Sequence, residues 1–307
     1  MLKVGSQSFG LSAHETMKIA EHLYLRGYTT YPRTESTTFS PNFNFKEVLL
    51  SLKDHDEYGE YASDLLKNGM NKPRKGVDAG DHPPITPVKS ANGELHGAEL
   101  RVYDYITSNF LACISQDATY DAVRTEFMIG DEKFKMKGQI LLDPGFIEIQ
   151  PWQRHEDKEI PLFEVASIID VKGTHIGEGR TEPPTYLTEA DLISQMEKHG
   201  IGTDASIPTH IQNIIDRNYV TIQDPGRKLV PTALGNALVK GYCEIDPELA
   251  LPQVRSNIEK SCELIAKGKA DFNQVINHVL KVFKAKFVHF KLSVGLMERL
   301  LNIMLNV

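Results

Sequence analysis

The chain has 307 residues, 41% hydrophobic and 24% charged, with a net charge of -7. That composition predicts a soluble globular protein with room for two or three cores, and it excludes one that coats nucleic acid by bulk charge, so any contact with a polyanion must be local. No run approaches the roughly 20 apolar residues of a membrane span. Residues 1–6 lack a secretory pattern, and Cys113, Cys243 and Cys262 stand too far apart for a Cys-x-x-Cys site, reading as reduced core thiols inside a cell.

Ser12-Ala13-His14-Glu15 has the spacing of a capping box, and Ala13, Met17, Ala20 and Tyr24, widened by Ile19 and Leu23, form one helical face. Gly27 stops that helix. The segment Tyr31-Pro32-Arg33-Thr34-Glu35-Ser36 follows, and Pro32 fixes its own φ while pushing Tyr31 towards extended geometry. A phenol with an ordinary pKa near ~10 is a poor nucleophile at neutral pH; a neighbouring cation that favours phenolate and grips a phosphate is the help it needs. Tyr31 is therefore the candidate nucleophile and Arg33 its partner, although the same pair also fits a strand tyrosine beside a solvated arginine.

The next stretch is loop-rich and acidic up to a short helix at residues 61–66, after which Asn68-Gly69 opens an irregular segment. Lys72-Pro73-Arg74-Lys75 offers Arg74 and Lys75 as phosphate contacts, or simply a solvated basic loop. In Asp78-Ala79-Gly80-Asp81-His82-Pro83-Pro84-Ile85-Thr86-Pro87, prolines and glycines hold His82 in a rigid loop, as a turn histidine, a phosphate ligand or a proton carrier. Asp78 and Asp81 beside His82 lack a further ligand at useful spacing, so no metal site is predicted. Residues 99–115 carry a helical pattern.

From Thr119 the period becomes two, with Val123, Thr125, Phe127 and Ile129 alternating and a turn at Gly130-Asp131, so a β region is predicted with further strands at 146–149 and 165–171. Thr188 caps a helix over 188–199, Gly200-Ile201-Gly202 turns the chain, and a second helix over 207–217 leads into a hairpin around Asp224-Pro225-Gly226-Arg227. Helix, turn, helix, hairpin is a winged-helix pattern, which an inert helical hairpin would also satisfy. Arg227-Lys228 is a second basic pair, and the tail from Pro247 is helical with no chemistry apparent. One echo stands out: Arg26-Gly27-Tyr28 and Arg217-Asn218-Tyr219 both place an αL-tolerant residue between Arg and Tyr at a helix exit.

The segment from Tyr28 to Ser36 resembles the active-site signature of type IA DNA topoisomerases, and Asp81-His82-Pro83-Pro84-Ile85 and Ile201-Gly202-Thr203-Asp204-Ala205-Ser206 resemble two further segments of that family, in family order. The wording of these motifs is most similar to the beta branch of the eukaryotic topoisomerase III enzymes. The resemblance implies an α+β multidomain chain, part of a type IA toroid: a gate domain over 1–115 carrying the tyrosine, a β-rich arch over 116–182, and a helical, winged-helix-like single-strand-binding domain over 183–307. It implies catalytic roles for Tyr31, Arg33 and His82, with Tyr31 becoming esterified to a 5′ phosphate. Nucleic-acid contacts are expected at Gly202, Thr203, Asp204 and Ser206, where free backbone N–H groups at a helix N-terminus suit a phosphate, and at Lys198, Arg74 and Lys75.

The family's Toprim domain, with its catalytic Glu and its Asp-x-Asp pair for Mg²⁺, is expected to lie outside this chain; Asp54-His55-Asp56 has no partner Glu upstream and falls on the wrong side of Tyr31. Mg²⁺ is thus the expected cofactor, held elsewhere. Single-stranded DNA, or RNA, is the expected ligand; a Tudor-domain or OB-fold accessory protein is the expected partner; nucleus and cytoplasm are the expected locations. The rival reading is a binding module that grips single strands without cutting. A tyrosine recombinase or type IB enzyme is disfavoured, because an Arg-rich pentad ahead of a late tyrosine is missing.

Overall fold

The computed structural model describes residues 1–305, a mixed helix and strand chain with helices towards both ends and one long hairpin between them. The first part contains α1 (Leu2–Phe9), α2 (Ala13–Leu25), α3 (Phe45–Leu52), α4 (Gly59–Asn68) and α5 (Gly97–Cys113). α2 starts where the capping box places it: Ser12 Oγ accepts the Glu15 amide at 3.0 Å, and the Glu15 carboxylate accepts the Ser12 amide at 2.8 Å. Its buried stripe divides between two cores. Ala20 and Leu23 pack with Tyr28 and with Val102, Tyr103 and Ile106 of α5, whereas Ala13 and Met17 pack with Leu2 of α1.

Two expectations need correcting in this part, and two helices add to them. Tyr24, placed on the buried face from spacing, is 42% exposed, because that edge of α2 faces the tyrosine segment instead of α5. The three cysteines are free, as expected, but exposed and not in the core. α1 and α3 carried no strong sequence signal: α1 has no side-chain cap, and α3 is eight residues opened by Asn44. Tertiary packing supplies what propensity does not in helices this short. α3, α4 and α5 enclose a second core of Leu49, Leu52, Tyr58, Ala62, Leu65, Phe110, Leu111 and Ile114.

β1 (Thr119–Ile129) and β2 (Glu132–Asp143) form an antiparallel hairpin in which Gly130 and Asp131 close the turn and Ile129 faces Glu132. The strands expected at 146–149 and 165–171 do not form. Residues 145–148 make a short 3-10 helix, and Val165 and Ile168 are fully solvated. A strand is stable only when its ladder finds partners, and among the described residues the β1–β2 pair gains no third strand, only the single Gln139 to Lys158 bridge.

The last part runs through α6 (Glu189–His199), α7 (Ile207–Asp216), β3 (Val220–Gln223), β4 (Lys228–Pro231), α8 (Ala233–Ile245), α9 (Pro252–Ala266) and α10 (Phe272–Leu305). Ile193 of α6 and Ile207 and Ile211 of α7 share one core with Leu2, Ala13 and Met17, so residues about two hundred apart in sequence pack together. The echo noted above is structural. Gly27 (φ 74°) and Asn218 (φ 55°) both sit in the left-handed region. The Tyr28 amide reaches back to Leu23 O and the Tyr219 amide to Ile214 O, both at 2.9 Å. Each exit is a Schellman motif, which satisfies orphan helix carbonyls and launches an extended segment. No helix among the described residues is long and apolar enough to cross a membrane.

Candidate active site

The exit of α2 leads directly into the tyrosine segment. Thr29 bridges Pro87, the Thr30 amide donates to Thr86 O, and the Val88 amide donates to Tyr28 O, so the segments before Tyr31 and after His82 run side by side. That pairing brings the two rings together: the Tyr31 and His82 centroids lie 4.8 Å apart. Tyr24, one turn back on α2, meets Tyr31 edge-on at 5.2 Å. Tyr31 is half-buried between them, and His82 is exposed.

A second set of contacts ties the two loops beyond the rings. Asp81 accepts the Glu35 amide at 3.0 Å and the Ser36 hydroxyl at 2.9 Å, while the Thr34 hydroxyl donates to His82 O at 2.7 Å. The Asp81 carboxyl is held down to about 2, chiefly by the Glu35 amide against a smaller opposing effect of burial, with the Ser36 hydroxyl and the His82 amide contributing. Sequence reading weighed this aspartate only as a metal ligand and as part of the His82 motif, not as the tie between the two loops.

Arg33 is half-buried and doubly engaged. Its Nε donates to Glu21 Oε1 at 2.5 Å and its Nη1 to Ala205 O at 3.3 Å. The second contact joins the tyrosine segment to the 202–206 turn, and a further one reinforces it: the Asp204 amide donates to Glu35 Oε1 at 2.9 Å. Beneath both lies a cavity of about 500 Å³, with Pro32, Thr34, Ser36, Ile193, Glu197 and Asp204 in its wall. Burial pushes the Asp204 carboxyl up to about 6, helped by Glu35 and then Glu197.

The 202–206 turn differs from expectation in one respect. Gly202 has φ 75°, and a Cβ there would stand 2.9 Å from Ser206 Oγ, so only glycine fits. Of the turn's amides, those of Thr203, Asp204 and Ser206 are engaged. Thr203 donates to Ser206 Oγ, Asp204 to Glu35, and Ser206 and Ile207 to Thr203 O. A carboxylate from the tyrosine segment occupies the place where an anion was expected. Lys198 is exposed on α6 and Lys75 is exposed on its loop. Arg74 pairs with Asp117 at 2.6 Å, and Arg227, from the second basic pair, is drawn into a buried ion pair with Glu189.

The model of a family described as DNA topoisomerase matches residues 1–277. The chain belongs to the DNA topoisomerase family. This topoisomerase chain is 48% identical over 305 residues to DNA topoisomerase 3-beta-1 of Mus musculus and 44% identical over 301 residues to DNA topoisomerase 3-beta of Arabidopsis thaliana. These matches cover 99% and 98% of the chain but 35% of each relative, so it spans about a third of their length. In fold it is similar to full-length topoisomerase I from Thermotoga maritima, with a TM-score of 0.68 at 22% identity, over 93% of this chain and 48% of that one. Type IA, topoisomerase III-like membership and an α+β topoisomerase core, both expected from the motifs, are thereby established for this topoisomerase chain.

Proposed function

We propose that this chain is the tyrosine-bearing part of a type IA, topoisomerase III-like enzyme that cuts and reseals one strand of single-stranded DNA. The observation that carries the reading is the juxtaposition of Tyr31 and His82 at 4.8 Å, with Arg33 fixed on the same rigid segment by Glu21 and Ala205. Tyr31 Oη attacks phosphorus, an ester forms between the tyrosine and the 5′ phosphate, and the bond from phosphorus to the 3′ oxygen breaks. One ester replaces another, so resealing needs no ATP. The phenol loses a proton and the departing 3′ oxygen gains one. Arg33 and His82 stabilise the charge that develops on the phosphate. Strand passage through the transient break relaxes negative supercoils.

The residues of this chain do not fit Mg²⁺: among those described, no three His, Cys, Asp or Glu side chains converge on a point where an ion could sit. We assign the ion to a Toprim domain outside the chain. The chain itself divides into a gate (1–115), an arch (116–182) and a single-strand-binding part (183–307), the last contributing Gly202, Thr203, Asp204, Ser206 and Lys198, with Arg74 and Lys75 at the edge of the gate. DNA or RNA single strands, a Tudor-domain or OB-fold partner, and a nuclear and cytoplasmic location belong to this same reading.

The test mixes the chain with labelled single-stranded DNA and Mg²⁺, with and without a Toprim domain added in trans. A covalent adduct that is formed by the parent and lost in Tyr31→Phe is expected. Binding without any adduct under either condition would leave only the strand-gripping module.

A further inference from the structure

We propose that Glu21 is a positioning residue for cleavage: it takes the Nε edge of Arg33 and so leaves the terminal Nη1/Nη2 edge as the one that grips the scissile phosphate. The inference rests on the strand-cutting reading above.

A guanidinium presents five N–H donors in a rigid planar fork and can hold an oxyanion through either of two edges, Nε with one Nη, or the two Nη groups. Here the choice is made within the protein. Arg33 Nε donates to Glu21 Oε1 at 2.5 Å, which closes the first edge. Nη1 donates to Ala205 O at 3.3 Å, which uses one of its two hydrogens and fixes the rotation of the plane. Three donors remain, all on Nη1 and Nη2, and the second edge is drawn from them, one from each nitrogen.

Glu21 is well placed to do this. It lies within the last turns of α2, a helix whose start is fixed by the capping box and whose inner face is anchored by Ala20 and Leu23, both completely buried. Glu21 is therefore carried by a rigid element, as a precise contact requires. Three residues on, Tyr24 stands on the same side of the helix and meets Tyr31 edge-on at 5.2 Å. One helical edge thus supports both members of the reacting pair, and neither Glu21 nor Tyr24 was singled out by motif. The Glu21 carboxylate and the Arg33 head are each about one-third exposed. Their pairing adds little to stability on that account, so its effect is to be sought in orientation.

Glu21→Ala should leave the concentration of DNA for half-maximal binding within about threefold while lowering single-turnover cleavage by on the order of 10- to 100-fold, the scale set by misplacing a reacting group. Glu21→Gln retains a carbonyl acceptor for Nε–H and should recover most of that loss. The decisive arm is a double-mutant cycle: a residue acting through Arg33 has no further effect once Arg33 is gone, so Glu21→Ala should change nothing in an Arg33→Ala background. Equal losses from Glu21→Ala in both backgrounds, or full cleavage by Glu21→Ala, would overturn the proposal. A readout apart from activity is hydrogen exchange at Arg33 Nε–H, slow in the parent and fast in Glu21→Ala. Slow exchange with no cleavage even by the Toprim-complemented parent would leave the contact standing and remove the strand-cutting reading instead.

Discussion

Arg33 and Asp81 show how much of this site depends on single side chains. With Nε committed to Glu21 and Nη1 to Ala205, Arg33→Lys keeps the charge but loses both anchors and the fork. Cleavage in a Toprim-complemented assay should fall by on the order of 100-fold, as when one preorganised donor to a reacting oxyanion is removed; equal rates for the two proteins would deny Arg33 its role. Asp81 acts on the loops themselves. Its carboxyl is depressed in the folded protein to about 2 from an ordinary 3.8, so the stability it lends is complete above pH 4 and is lost as pH falls through the window from about 4 to about 2. At neutral pH, Asp81→Ala should speed hydrogen exchange of the Glu35 amide by on the order of tenfold, the weight of a charge-assisted hydrogen bond. Unchanged exchange would mean that the Thr34 to His82 contact alone holds the loops.

At the scale of elements, the two halves are joined by a buried ion pair. Glu189, the first residue of α6, is 1% exposed; it accepts the Ala13 amide at 2.7 Å and Arg227 Nε at 2.5 Å. One carboxylate thus links the N-terminus of α2, the start of α6 and the turn of the β3–β4 hairpin. A buried pair adds little over an apolar replacement, but breaking it strands a charge. Glu189→Ala should destabilise the chain by about 3 to 5 kcal/mol, read as a fall in the unfolding midpoint in denaturant. A loss below about 1 kcal/mol would show that Arg227 finds another partner or water. Because Arg227 is held this way, the basic pair at 227–228 offers nucleic acid less charge than its sequence suggests.

For the whole molecule, the net charge is -7, and Arg33, Arg74 and Arg227, three of the basic residues offered to a phosphate by the sequence, are each paired with a carboxylate. Binding should favour single strands over duplex. For about three phosphates held, the slope of log affinity against log salt should be near -2 in a single-strand titration. Duplex binding as tight as single-strand binding across a salt series would remove the 202–206 turn from the DNA. The α2, α6 and α7 helices, the tyrosine segment and the hairpin around Gly130-Asp131 were legible in sequence, because capping boxes, glycine stops and two-residue turns are local devices that act wherever they occur. The candidates Tyr31, Arg33 and His82 were picked out through motifs on short rigid segments. What neighbours alone decide was not legible. The stretch at 165–171 has strand-like residues but no ladder to join, and Tyr24 has a core-like spacing but an active-site neighbour. Glu21 and Asp81 are ordinary carboxylates until Arg33 and the 34–36 segment are brought to them. The sequence by itself determined the family and the local turns and named a candidate nucleophile; only the tertiary structure decided which donors stay free, since that depends on contacts such as Arg33 to Ala205, 172 positions apart, a separation over which no local pattern carries information.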